Sequence, residues 1–281
     1  MFQAFGQSKL AGTPISASLK EWRSHIKRFS PRTQEHYTMV LRRFGESLDI
    51  TVLEELRPQQ IEKYINFLLS KGVKNRTCNA HLTAIKSFCG WLAQNYSVPN
   101  IGVGFLMLAE DPPKQRVLTS EEYQKVLAVC KPYEADMIKF LGHTGLRVTE
   151  AVSLTWGCFD PPLTKITLTG KGRRRRTVPL NDTCREILKK YPRGTPETHL
   201  NFLKSDRKCL YWQCQTLASK AHIRPFGPHA LRHFFCTELT KQNVPMAKVS
   251  KIMGHSSIRT TEKIYMHLTE SDLLHTTDCL D

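Results

Sequence analysis

Apolar side chains recur at helical spacing through the first hundred residues. Behind a Ser30-Pro31 helix-start signal, Tyr37, Val40, Leu41 and Phe44 fall at i, i+3, i+4 and i+7, one face of a helix. Pro58 opens a second stripe of Ile61, Tyr64, Ile65 and Leu68, which Gly72 closes. Leu82, Ile85, Cys89 and Leu92 mark a third amphipathic segment, and residues 19–29 give an earlier one. Stripes of this kind are the core-facing sides of packed helices, so the pattern predicts a small helical bundle.

The pattern then breaks. Gly102, Gly104, Asp111, Pro112 and Pro113 interrupt it, and Thr119-x-x-Glu122 supplies a capping box for a new helix carrying Tyr123, Val126 and Leu127. A domain boundary is expected there: a tail over 1–13, a first domain over 14–108, a linker over 109–117 and a second domain over 118–281. The second domain reads as mostly helical, with one exception. Residues 165–169 alternate in strand fashion, Gly170-Lys171-Gly172 supplies a turn, and residues 173–179 can return antiparallel, giving a hairpin with Lys171 at its tip. The expected fold class is therefore mainly α, a helical bundle followed by a mostly helical domain with one small antiparallel hairpin.

Charge changes the picture from fold to partner. The 281 residues carry 41 Lys and Arg against 25 Asp and Glu, a formal net charge of +16. The excess is spread, +6 over residues 1–110 and +10 over the remainder, which suits two domains holding one polyanion better than it suits a basic tail. The longest apolar run, 101–109, contains two glycines and falls far short of the ~20 residues of a membrane span. Gln3, Gln7 and Ser8 precede any apolar stretch, unlike a signal peptide, so a cytoplasmic protein is expected. Nine cysteines lie scattered without one C-x-x-C and read as reduced thiols; Cys209 and Cys214 with His199 and His222 match no usual ligand spacing, and no metal is expected.

Phosphodiester transfer without a metal needs cationic donors for the phosphate, a nucleophile, and an acid for the leaving oxygen. Thr144-Gly-Leu-Arg147-Val-Thr-Glu150 places an arginine after a glycine turn, where a helix N-terminus can add backbone donors. His229-Ala-Leu-Arg232 puts a second arginine three residues beyond a histidine, on one helix face. Met253-Gly-His255 follows a helix starting near Pro245, and Tyr265 comes ten residues after His255.

In four ordered stretches, TGLRVTE (144–150), TGKGRRRRTVPL (169–180), HALRH (229–233) and MGHSSIRTTEKIYMH (253–267), the chain resembles the tyrosine recombinases, or phage-type integrases, and in size and layout the bacterial Xer-like simple recombinases. The resemblance implies a SAM-like, core-binding N-terminal bundle and a catalytic domain that together clamp duplex DNA. It implies Arg147 and Arg232 as the clamp on the scissile phosphate, His255 as a third donor, Lys171 as the acid for the departing 5′ oxygen and His229 as a phosphate ligand or an aid to deprotonation. Tyr265 would then be the nucleophile of a 3′-phosphotyrosyl intermediate needing neither cofactor, ATP nor metal. It also implies a homotetramer on two recombination sites, with a C-terminal segment containing Leu268, Leu273 and Leu274 exchanged between protomers. The ten-residue interval before Tyr265 is one longer than in most of the family, which implies a bulge in 260–263.

Other basic groups are candidates for holding the DNA backbone: Arg173, Arg174, Arg175 and Arg176 on the hairpin, and Lys74, Arg76 and Lys86 on the third amphipathic segment. Glu150 reads as a group that orients its neighbours or holds a helix end, and His233 and His267 as packing or surface histidines. Two rival functions remain: a type IB-like topoisomerase using similar chemistry, and a DNA-binding regulator without catalysis.

Overall fold

The computed structural model describes residues 12–96, 98–110, 116–169, 175–203 and 206–254. The chain divides into two compact units, Met1–Pro113 and Lys114–Asp281.

The first unit is a four-helix bundle: α1 (Ile15–His25, prolonged by a 3₁₀ turn over Ile26–Arg28), α2 (Pro31–Glu46), α3 (Pro58–Ser70) and α4 (Asn75–Asn95). Ser30 caps α2 by accepting from the Thr33 amide, with Pro31 in the first turn, where its missing N–H costs nothing. The periodic residues Val40, Leu41, Phe44, Ile61, Leu82, Ile85 and Cys89 are all buried, joined by Trp22, Phe88 and Trp91. The Trp22 ring meets Phe88 and Trp91 edge-on at 5.7 and 5.5 Å. The first helix begins four residues ahead of its expected start, because Ile15 and Ser18 join the buried face.

The glycine-containing run after α4 is a strap laid along that helix. Asn79 donates to the Leu108 carbonyl at 2.9 Å and accepts from the Leu108 amide at 2.8 Å, while Asn75 donates to the Ala109 carbonyl at 2.7 Å. Lys86 donates to the Phe105 carbonyl at 2.7 Å. Lys86, expected among the DNA contacts, is half-buried and holds the strap through this bond.

The second unit contains α5 (Ser120–Val129), α6 (Pro132–Thr144), α7 (Val148–Val152), β1 (Lys165–Thr169), β2 (Arg175–Pro179), α8 (Asp182–Lys189), α9 (Arg207–Lys220), α10 (Pro228–Lys241) and α11 (Met246–Met253). The Thr119 capping box forms as expected, the Glu122 amide donating to Thr119 Oγ1 at 3.1 Å and the Thr119 amide to Glu122 Oε2 at 3.0 Å. The two strands pair antiparallel with Ile166 opposite Val178 and Leu168 opposite Arg176. Ile166, Leu168 and Val178 are buried among α5, α6, α8, α9 and α10. No described helix is long and apolar enough to cross a membrane.

α6 ends at Gly145 in the left-handed conformation, φ 59°, where a Cβ would stand 2.3 Å from the Phe235 ring of α10. Only glycine meets both demands, and the tight turn delivers Arg147 directly in front of α10. α11 ends in the same way at Gly254, φ 63°.

Candidate active site

Three arginines converge on the end of α11. The last carbonyls of a helix have no intrahelical partner and carry the negative end of its dipole, so they attract cations. Here three successive carbonyls each receive a guanidinium. Arg176 donates to Ile252, Arg232 Nη2 to Met253 at 2.6 Å, and Arg147 Nη2 to Gly254 at 2.7 Å. Arg232 also donates through Nη1 to the Gly145 carbonyl at 2.5 Å, so one side chain from α10 ties together the left-handed ends of α6 and α11.

Among the described residues, Glu150 is the carboxylate that this cluster binds. It accepts from the Arg147 amide at 2.7 Å and from Arg147 Nη1 at 3.0 Å, closing the start of α7 as a capping box. Its other partner is Arg176, with Nε at 3.3 Å and Nη2 at 2.6 Å. Burial by itself would raise the Glu150 pKa, but the Arg176 hydrogen bonds, the Arg147 amide and the two positive charges outweigh it and hold the carboxyl below its usual range. The reading of Glu150 as an orienting residue agrees with these bonds. Of the backbone donors expected at this helix start, the Arg147 amide is taken by Glu150.

Arg176 differs from its exposed neighbour Arg175: its side chain is 9% exposed, and its guanidinium binds Glu150 and Ile252. Alternation along β2 explains this. Arg176 shares the inward face with Val178 and sits opposite Leu168, whereas Arg175 is exposed. That parity was visible in the sequence and was the signal that could have separated Arg176 from its neighbours. Gly254 is a second functional position that sequence reasoning passed over; a Cβ there would lie 2.4 Å from Arg176 Cδ and 3.5 Å from Arg147 Nη1.

Among the described residues, Arg147 and Arg176 share the Glu150 carboxylate, and Arg232 binds the Gly145 and Met253 carbonyls beside them. Burial, then the charges of Arg147 and Arg176, pull Arg232 down to about 9, which leaves it protonated at neutral pH with a cost that a bound anion would relieve. His229 stands one helical turn before Arg232 and is exposed to solvent. Partial desolvation, then the charges of Arg232 and Arg147, lower its pKa, so its imidazole is neutral at pH 7 and can accept a proton. Its neighbour His233 is pushed further, to about 4, by burial and then by His229 and Arg232.

Of the remaining candidates, Lys74 and Arg76 are exposed at the start of α4, in the first unit. Lys171, Arg173, Arg174, His255 and Tyr265 lie outside the described residues, as do the 260–263 interval, His267, Leu268, Leu273 and Leu274.

The model of the phage integrase family matches residues 116–272, and that of the phage integrase N-terminal SAM-like domain matches residues 18–97. The chain belongs to the phage integrase family. Among similar proteins, the tyrosine recombinase XerC of Chlorobaculum parvum is 25% identical, with 91% of each chain covered. The tyrosine recombinase XerD of Listeria monocytogenes serotype 4b is 28% identical, over 86% of this chain and 89% of its own. Among solved structures, the Tn1549 transposon integrase in complex with circular intermediate DNA superposes with a TM-score of 0.74 at 18% identity, over 93% of this chain and 98% of its own. The integrase fold, a helical N-terminal domain followed by a catalytic domain, is thus common to both, and the arginine cluster lies within the segment matched by the catalytic family model.

Proposed function

We propose that this integrase-family protein is a site-specific tyrosine recombinase whose Arg147 and Arg232 hold the scissile phosphate of duplex DNA while Tyr265 attacks it. The observation that carries this reading is the convergence of Arg147 and Arg232, from two different elements, on the adjacent Gly254 and Met253 carbonyls at the end of α11, with His229 one helical turn before Arg232. A phosphodiester going to its transition state gains negative charge on its non-bridging oxygens, and preorganised guanidiniums stabilise that charge without having to reorganise. Bidentate donors suit this geometry better than an ammonium does.

In the proposed sequence Tyr265 attacks phosphorus, the bond to the 5′ oxygen breaks, and Lys171 gives that oxygen its proton. His229 receives the tyrosine proton, or donates to the phosphate while that proton passes to solvent water, and His255 adds a third hydrogen bond. The product is a 3′-phosphotyrosine, whose ester energy lets a 5′ hydroxyl from a second duplex reverse the attack without ATP or metal. Residues 14–108 would serve as the core-binding domain, 109–117 as linker and 118–281 as the catalytic domain. Arg175, Lys74 and Arg76, all exposed, would supply sequence-independent phosphate contacts, with Arg173 and Arg174 beside them. Exchange between two sites calls for four active centres, hence a homotetramer on DNA, and the protein would act in the cytoplasm on the nucleoid.

The test is strand exchange between two duplexes that carry the site recovered from covalently trapped genomic fragments. Recombinant joints supported by the parent protein and lost in Tyr265→Phe support the proposal. Relaxation of supercoils without joints would indicate a topoisomerase, and binding without any covalent adduct a regulator.

A further inference from the structure

Arg176 sits within the basic run of the hairpin, yet its guanidinium is bound within the protein. Its guanidinium spans two elements, gripping Glu150 at the start of α7 with two nitrogens and the Ile252 carbonyl at the end of α11 with the third. Glu150 passes that hold to Arg147 through its other bonds, at the Arg147 amide and at Nη1. Ile252 passes it to the neighbouring carbonyls Met253 and Gly254, the acceptors for Arg232 and Arg147. The methylene stem of Arg176 packs where a Cβ on Gly254 would have to go, so the helix end and the arginine fit only one way.

We infer that Arg176 is a positioning residue: from the hairpin, through Glu150 and the end of α11, it sets the spacing and orientation of Arg147 and Arg232 and does not itself contact DNA. The inference rests on the recombinase reading of the Arg147 and Arg232 pair. Its physical basis is the geometry of guanidinium. Five donors in a fixed plane can grip both oxygens of a carboxylate and a carbonyl at once; lysine carries its three donors on one nitrogen and glutamine has two and no charge, so neither reproduces that geometry. All three guanidinium nitrogens of Arg176 are engaged by Glu150 and Ile252, whereas among the described residues Arg147 engages only Nη1 and Nη2, and leaving Glu150 would strand a buried carboxylate beside a single arginine. Partners that orient the groups touching a reaction centre typically cost 10–100-fold in activity when removed.

The experiment compares the parent, Arg176→Gln and Arg176→Lys on a nicked duplex, chosen as the fragment of nicked genomic DNA that the parent binds best. Two quantities are read: the dissociation constant across a salt series, and the single-turnover rate of covalent attachment at saturating protein. The expected result for Arg176→Gln is unchanged affinity and salt slope with a saturating rate roughly 10–100-fold lower, and for Arg176→Lys partial recovery of that rate. Weaker binding, a salt slope reduced by about one and an unchanged saturating rate would make Arg176 a phosphate contact and overturn the inference. Unchanged behaviour in both quantities would overturn it equally. If Arg176→Gln fails to fold, Arg176→Lys alone decides: an intermediate rate at parental affinity supports positioning, and a parental rate overturns it. A parent that binds but never attaches refutes the recombinase reading itself, and the inference falls with it.

Discussion

Removing the Glu150 carboxylate tests the energetic core of the site. In the native protein Arg176 and Glu150 have side chains only 9% and 10% exposed, and Arg147 contributes a second pair that is 34% exposed on the arginine side. Glu150→Ala leaves the Arg176 guanidinium buried without its counter-ion, a change that typically costs about 3–5 kcal/mol. The lost acceptor for the Arg147 amide adds about 1 kcal/mol, by analogy with other helix caps. The more exposed pair to Arg147 adds little, because solvent screens it. Summed conservatively, the loss is roughly 4 kcal/mol, which for a unit of this size lowers the melting temperature by roughly 8–16 °C. Thermal unfolding followed by circular dichroism measures it, together with a double variant Glu150→Ala/Arg176→Met. Removing both charges restores an apolar contact in place of an orphaned ion, so the double variant should be at least about 1 kcal/mol more stable than additivity of the two single variants predicts. A Glu150→Ala loss under about 1 kcal/mol, or strict additivity, would refute the argument that this buried pair organises the site.

Three further outcomes follow from the same geometry. Gly254→Ala, at φ 63° and with its new Cβ 2.4 Å from Arg176 Cδ, should lose about 1–2 kcal/mol from the left-handed conformation alone and cleave DNA more slowly; parental stability and rate would contradict the packing described. His233 has its pKa lowered from 6.5 to about 4, so the unfolded chain takes up a proton that the folded chain refuses. Stability should therefore fall as pH drops from 6.5 toward 4, by up to roughly 3 kcal/mol, and His233→Asn should flatten that slope in urea titrations at a series of pH values. Arg175→Ala, Lys74→Ala and Arg76→Ala should each take about one from the slope of log affinity against log salt, whereas Lys86→Ala, whose ammonium holds the strap at Phe105, should not.

The helices were legible because their signals are local. Ser30-Pro31, Pro58 and Thr119-x-x-Glu122 each start the helix they predict, and the stripes at 40–44 and 61–68 are the buried faces. The expectation of an antiparallel hairpin likewise matches β1 and β2. What periodicity does not reveal is which polar group a side chain will find across the fold. Arg176 reads as one of four basic neighbours until the register sets it opposite Leu168 and brings it within reach of Glu150, 26 positions away, and Ile252, 76 away. Lys86 looked free on its helix because its acceptor, a backbone carbonyl at Phe105, has no signature in the sequence. The convergence of Arg147 and Arg232 was expected from the resemblance to the recombinases, but not the device that achieves it, the bare carbonyls at the end of α11.

The most direct measurement is to trap the covalent adduct on a nicked duplex, digest both protein and DNA, and locate the nucleotide-bearing peptide by mass spectrometry. The account predicts a single modified residue, Tyr265, linked to a 3′ phosphate, with the adduct lost in Tyr265→Phe and strongly reduced in Arg147→Ala and Arg232→Ala. A nucleotide on any other residue, or the absence of an adduct under conditions where the duplex is bound, would contradict it.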